Sequence, residues 1–207
     1  MLHPPLPMLA PNASVVAFTN PDWLYEIKFD GYRTLAAFGG HRDVDLRTKS
    51  GAICTAWYPE VVDQLAAIGG GRHIVDGEAC VLDELGRSDF QRQRRRASHR
   101  RWYRGCDQVT LMIFDLLVED GRSIMDLPLV ERKARLARLL AGVPKRTVVY
   151  VGDFPAEAAL YRVVLQLRLE GLMAKRKASA YQPGVRSRDW LKIKRPGAVD
   201  PQRFRRP

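Results

Sequence analysis

Cysteine is scarce in this chain, and the three present, Cys54, Cys80 and Cys106, are too widely spaced to form a CxxC pair. The four histidines do not sit near them. That spacing argues against a zinc site and suits free thiols in a reducing compartment. Long apolar runs are missing too, and none approaches the roughly 20 residues of a membrane-spanning helix. The opening MLHPPLPMLAPN is broken by proline and has no basic stretch leading into an apolar one, so no secretory signal is expected. A cytoplasmic protein with no membrane partner is the reading. There is no internal repeat and no convincing linker, so residues 1–207 are expected to form one domain, with 1–20 as an irregular lead-in and 196–207 as a basic tail. Acidic residues are outnumbered, 23 against 34 lysines and arginines, which leaves a net charge of +11. Such a balance points to a polyanionic partner: nucleic acid, nucleotide or an acidic membrane surface.

Much of the positive charge lies in RSDFQRQRRRASHRRWYR, from Arg87 to Arg104. The plain reading is a solvated loop. Arginines interleaved with Trp102 and Tyr103 suit phosphate contact and base stacking better. Elsewhere the pattern predicts strands at Trp23–Phe29, Arg33–Phe38, Val44–Thr48, His73–Val75, Ala79–Leu82, Val109–Val118, Val148–Val151, Leu172–Lys175 and Trp190–Lys194. Helices are predicted at Pro59–Ile68, Pro128–Leu140 and Ala156–Leu169. Strands and helices mix without a regular βαβ beat, so the fold class is α+β, with mainly antiparallel sheets flanked by helices.

Within that framework five short motifs carry chemistry. Glu26-Ile27-Lys28-Phe29-Asp30-Gly31-Tyr32-Arg33 puts a lysine at the end of an apolar strand, beside a glycine that lets a phosphate approach. Asp76-Gly77-Glu78 places a carboxylate next to a glycine, and Phe114-Asp115 an aromatic on an apolar strand. Glu170-Gly171-Leu172-Met173-Ala174-Lys175 and Trp190-Leu191-Lys192-Ile193-Lys194 follow. In the last, Lys192 and Lys194 alternate on a strand and so share a face. Each motif alone has a plain structural explanation: a hairpin corner, a core phenylalanine, a glycine at a helix end, an edge strand. Their order makes coincidence a poor account.

That order resembles the nucleotidyltransferase motifs of ATP-dependent DNA ligases, and most of all the ligase domain of bacterial end-joining (LigD-type) enzymes. Pro7-Met8-Leu9-Ala10 and Tyr181-Gln182-Pro183-Gly184-Val185-Arg186-Ser187 match that subgroup as well, so the likeness spans essentially the whole chain. It implies a covalent nucleotidyltransferase (ATP-grasp-like ligase adenylation) fold. It also implies that Lys28 attacks the α-phosphate of ATP to give a lysyl-AMP adduct, whose AMP passes to a 5′-phosphate in DNA repair or recombination. By the same likeness Lys192 and Lys194 hold the α-phosphate, Glu26 reads the adenine amino group, and Arg33 meets the ribose or a DNA phosphate. Phe114 and Met173 sandwich adenine, and Ile27 and Lys175 join the nucleotide contacts. Glu78 lies nearer the ribose and Glu170 nearer a divalent metal, Mg²⁺ or Mn²⁺, with both carboxylates eligible as ligands. Lys49, in Thr48-Lys49-Ser50-Gly51, stands where the family usually has arginine, a point charge in place of a fork.

The implied partner is double-stranded DNA with nicks or ends, met by a monomer in a bacterial cytosol or nucleoid. The family's catalytic core usually continues into a C-terminal OB-fold, and none follows Lys194 in this sequence. A separate OB-fold domain or end-joining proteins are therefore further expected partners, and sealing by the chain alone is expected to be poor. Two other readings stand beside this one: an RNA ligase or capping-type nucleotidyltransferase, and a catalytically weak DNA-binding remnant.

Overall fold

The computed structural model describes residues 3–39 and 43–198, so Gly40 and the expected basic tail from 199 onward lie outside the described residues. In chain order the elements begin with β1 (Trp23–Lys28), β2 (Tyr32–Phe38), β3 (Asp45–Thr48), α1 (Pro59–Ala66), β4 (His73–Val81) and α2 (Phe90–Ser98). They continue with β5 (Val109–Glu119), β6 (Arg122–Ser123), α3 (Leu129–Leu139), β7 (Val148–Tyr150), β8 (Asp153–Pro155), α4 (Leu160–Gln166), β9 (Gly171–Arg176) and β10 (Trp190–Lys194). Two sheets result. The smaller is antiparallel in the order β10-β9-β1-β8. The larger runs β3-β2-β4-β5-β6, antiparallel throughout, with β7 added parallel to β5. This is the α+β arrangement that the sequence predicts.

Helices α1 and α3 bury their apolar stripes against the larger sheet. Val61 and Leu65 of α1 and Leu136 of α3 join Leu46, Val75, Leu111 and Leu116 in one core. A second core fills the space where the sheets meet, with Met8, Leu35, Leu117, Tyr181 and Trp190. The third backs the smaller sheet with Tyr25, Val164, Leu172 and Ile193. Among the described residues no helix is long and apolar enough to cross a membrane.

Several expectations need correction. Asp76-Gly77-Glu78 does not interrupt a strand, because β4 runs through it, with register shifts at Ile74/Val75 and Asp76/Gly77. A Cβ on Gly77 would lie 2.8 Å from the Met112 carbonyl oxygen, so glycine here lets β5 approach. The expected helix at Ala156–Leu169 shrinks to Leu160–Gln166, and the chain before it becomes β8, an edge strand where Pro155 loses no ladder bond. The lead-in is not peripheral. Met8 and Ala10 are buried, the Leu9 amide donates to the Val185 carbonyl (2.9 Å), and the Val15 amide to that of Lys192 (2.8 Å).

The arginine run is no loop either. Asp89 caps α2 by accepting from the Arg92 amide (2.9 Å), and the Gln, Arg and Ala residues that follow favour a helix. Two of its arginines are structural. Arg96 is fully buried over Tyr58, donating to the carbonyls of Asp107 (3.1 Å) and Arg101 (3.0 Å) and facing Glu60. Arg92 pairs with Asp107 at 2.6 Å. Arg94, Arg95, Arg100, Arg101 and Arg104 remain exposed, with Trp102 beside them.

Candidate nucleotide site

The smaller sheet builds half of the site by its two-residue repeat. Lys28, Gly171 and Lys194 face one another in register across β1, β9 and β10; so do Glu26, Met173 and Lys192; so do Leu24, Lys175 and Trp190. Alternate residues share a face, so these three rows put Lys28, Glu26, Met173, Lys175, Lys192 and Lys194 on one side of the sheet. Gly171 sits at the middle of the first row because nothing else fits. A Cβ there would lie 2.1 Å from the Ile193 carbonyl oxygen. Gly31 is as tightly placed, since its Cβ would meet the Ala79 carbonyl oxygen at 2.2 Å, and this presses the turn after Lys28 onto β4.

The larger sheet supplies the opposite wall. Arg33 of β2 and Glu78 of β4 are register partners. Phe114 arrives differently. In β5, Ile113 pairs with Gly77 and Asp115 with Asp76, so the pairing skips Phe114. An unpaired extra residue is what re-aims a side chain beside a site. Ile113 and Asp115 are both buried while Phe114 stays half-buried and lines the cavity.

Between the sheets lies a cavity of about 370 Å³, within the usual size range for small-molecule sites. Every site residue singled out from the sequence lines it: Glu26, Ile27, Lys28, Arg33, Lys49, Glu78, Phe114, Glu170, Met173, Lys175, Lys192 and Lys194. Leu9, Asn12, Asp30, Arg186 and Trp190 line it too. Of these, Arg186 belongs to the segment Tyr181–Ser187, already notable in sequence, and its guanidinium donates to the Ala10 carbonyl (2.5 Å) and to Asn12 Oδ1 (2.9 Å).

Lys28 Nζ lies 2.7 Å from Glu170 Oε2, and Lys194 Nζ lies 3.9 Å from Oε1 of the same carboxylate. Burial raises Glu170 above the ordinary carboxylate range, against the pull of Lys28. Burial likewise pushes Glu78 up to about 7, opposed by Lys28 and Arg33; its Oε1 accepts from the Gly31 amide at 3.2 Å. On β10, burial first, then Lys28, Lys194, Arg186 and Lys49 push Lys192 down to about 8. Crowded ammonium groups with few counter-ions are a site waiting for an anion.

Two residues are more tightly held than sequence implies. Glu26 is buried with both oxygens engaged, Oε1 with Lys133 Nζ (2.7 Å) and Oε2 with Lys175 Nζ (2.6 Å). Lys133 comes from α3, where nothing in the amphipathic pattern marks it as part of the site. Arg33 forks onto both oxygens of Asp76 at 2.5 Å each, and its guanidinium lies 4.6 Å from the Phe114 ring centre. Asp76 also accepts from the Tyr181 hydroxyl (2.5 Å). Lys175 Nζ is 4.2 Å from the ring centres of both Phe114 and Trp190.

Divalent metal is testable on the donors. Glu78 and Glu170 are hard oxygen donors from the two walls of the cavity, and Asp30 is close enough to raise both. Among the described residues no group of three or more acidic, histidine or cysteine side chains forms a complete metal cage. Two carboxylates completed by substrate phosphates is the usual arrangement for Mg²⁺, so the donors fit.

Comparison with known proteins places this geometry. The family described as "ATP dependent DNA ligase domain" matches residues 7–194. The chain is 36% identical over 197 residues to the multifunctional non-homologous end joining protein LigD of Pseudomonas aeruginosa, covering 92% of this chain and 22% of that protein. It is 36% identical over 202 residues to a DNA ligase of Thermococcus onnurineus, covering 91% of this chain and 35% of that one. Among solved structures, mycobacterial DNA ligase D complexed with ATP and MES superposes with a TM-score of 0.77 at 32% identity, covering 92% of this chain and 60% of that one. This chain thus spans about a fifth of the LigD relative's length.

Proposed function

The chain belongs to the ATP-dependent DNA ligase domain family, and on that premise we propose that it is an adenylation domain in which Lys28 becomes covalently linked to AMP. What carries this reading is one observation: every residue the motifs singled out faces a single cavity, with Lys28 Nζ 2.7 Å from Glu170 and two lysines of β10 alongside. Lys28 Nζ attacks the α-phosphorus of ATP. A P–N bond forms, the bond to the bridging oxygen breaks, and pyrophosphate leaves with that electron pair. Glu170, raised by burial and in contact with Nζ, takes up the proton the amine must lose. Lys192 and Lys194 neutralise the charge that builds on the α-phosphate oxygens. Phe114 and Met173 flank adenine, and Glu26, held by its two lysines, keeps lone pairs for the adenine amino group. Glu78 would hold Mg²⁺ or Mn²⁺, with Glu170 as a second donor once its proton has passed to solvent, and the ion when bound supplies further neutralisation of the phosphates.

AMP then passes to the 5′-phosphate of a DNA break, and an end-joining role follows from the LigD likeness. The test uses ATP labelled at either the α- or the γ-phosphorus, with a GTP arm, read on a denaturing gel. Label retained from the α-position alone is expected. Label from GTP would favour a capping-type enzyme, and no label from any nucleotide would favour a DNA-binding remnant.

Three further outcomes follow from the geometry. At pH 8.5 Lys192 is largely neutral in the free protein while Glu78 is already ionised. An arriving triphosphate restores the Lys192 ammonium, so ATP binding takes up protons. Calorimetry in two buffers of different ionisation heat should show an uptake that vanishes in Lys192→Met; equal heats for the wild type would refute it.

Phe114→Ala should weaken ATP binding by about one to two decades, since stacking of a base on an aromatic is worth roughly 1–3 kcal/mol. Unchanged affinity would make Phe114 a core residue only. For DNA, charge reversal at Arg94 and Arg95 should lower the salt slope of binding by roughly two, with labelling intact. Arg96 is excluded because it is buried. A slope equal to wild type would remove this face from the DNA contact.

A further inference from the structure

A second groove opens against the strand end that carries Lys28. It shares Lys28, Asp30 and Glu170 with the nucleotide cavity and runs past Ser88 toward Arg87, Arg168 and Arg195. Its two parts enclose about 110 and 310 Å³. The cations of the nucleotide cavity, Lys49, Arg186, Lys192 and Lys194, do not line it. Its positive charge is therefore a separate provision.

Most carboxylates on its walls are already committed. Asp83 holds Arg87 at 2.7 Å, Asp89 caps α2, and Glu170 faces Lys28. Arg168 and Arg195 form no ion pair with a described residue, although Asp30 lines the groove with them. Arg195 is braced by carbonyls, donating from Nε to Leu169 (3.0 Å) and from Nη1 to Pro196 (3.2 Å). Arg168 has no side-chain hydrogen bond or ion pair among the described residues. It also occupies a costly backbone position. Just past the end of α4 its φ is 53°, the left-handed conformation in which helices usually place glycine. An arginine kept there adds nothing to the helix end, and its side chain lines the groove.

We infer that this groove is a second anion site, beside the nucleotide cavity, where Arg168 and Arg195 take a backbone phosphate of the DNA strand being joined. Guanidinium forks match phosphate geometry, and contacts of this kind fix the register of a strand without reading its sequence. The groove also leads to the start of α2, so a strand lying in it continues toward the exposed Arg94 and Arg95. The inference rests on the ligase reading, which supplies the DNA. The same chemistry would serve free pyrophosphate, and the test separates the two.

Arg168→Gly removes the side chain while giving the backbone the residue it prefers, so folding is preserved. Arg162→Ala, an exposed arginine of α4 away from the groove, is the control. Three quantities are read on the full chain: AMP labelling from ATP, removal of that label by added pyrophosphate, and the salt dependence of binding to a nicked duplex bearing a 5′-phosphate. Arg168→Gly is expected to bind the nicked duplex about tenfold more weakly at low salt, the worth of one charge-assisted hydrogen bond, with a salt slope smaller by about one. Labelling and its reversal stay within about twofold of wild type, and Arg162→Ala changes none of the three. DNA binding equal to wild type overturns the inference, as does slower pyrophosphate reversal with unchanged DNA binding, which makes the groove a pyrophosphate site. A wild type that takes no label sinks the ligase reading itself, and the groove loses its DNA phosphate with it.

Discussion

Lys28→Ala is expected to abolish covalent labelling by α-labelled ATP while leaving the domain folded. The substitution removes the atom that forms the P–N bond in the proposed step. Some stability goes with it, because the Lys28 side chain is largely buried, with 16% of its surface exposed, and pairs with Glu170. Losing it does leave Glu170 in a buried position, but Lys194 Nζ stands 3.9 Å from that carboxylate and supplies the nearest remaining charge. ATP should still bind, since Phe114, Met173, Lys192 and Lys194 are untouched. The check pairs a denaturing gel with a melting curve. Full labelling of a folded Lys28→Ala protein would move the nucleophile to another residue.

The second large effect concerns the residue after Phe114. Asp115→Ala should destabilise the domain by about 3–5 kcal/mol, the usual penalty for stranding the partner of a buried ion pair. Asp115 and Arg132 are both fully buried, with Nε to Oδ1 at 2.8 Å and Nη2 to Oδ2 at 2.9 Å. Arg132 also donates to the carbonyls of Leu127 (2.5 Å) and Ser179 (2.8 Å), tying α3 and the segment before Tyr181 to β5. Typical domains have only roughly 5–15 kcal/mol to lose. The melting temperature should therefore fall by roughly 10 °C or more. Asp115→Leu combined with Arg132→Met should recover much of that loss, because two apolar residues leave no stranded charge. A fall of less than about 2 °C in Asp115→Ala would mean the pair is not the clamp described here.

What the sequence made legible follows one physical rule. Residues two apart on a strand share a face, so spacing is enough to assign Lys192 with Lys194 to a common wall. The places of Glu26, Met173 and Lys175 beside the nucleotide were legible only through the family likeness. Three things escaped that rule because each depends on a partner distant in sequence. Phe114 faces the cavity through a slip in the β4–β5 register, which alternation alone does not reveal. Lys133 reaches Glu26 from a helix more than a hundred residues away, and its charge reads as ordinary on an amphipathic helix. The proline-broken lead-in becomes a cavity wall only because Leu9 pairs with the segment near Arg186. The arginine run failed for the opposite reason: composition cannot tell Arg96, buried over Tyr58, from Arg94 and Arg95 beside it.

Electrostatics gives the nucleophile one serious rival. Lys192 is pushed down to about 8, so near neutral pH it offers free amine more readily than an ordinary lysine. Position favours Lys28, which ends its strand in contact with a carboxylate able to take its proton. The most direct measurement is therefore peptide mapping by mass spectrometry after incubation with ATP and Mg²⁺, locating the AMP mass on one lysine. The account predicts the adduct on Lys28; an adduct on Lys192, with Lys28 unmodified, would contradict it.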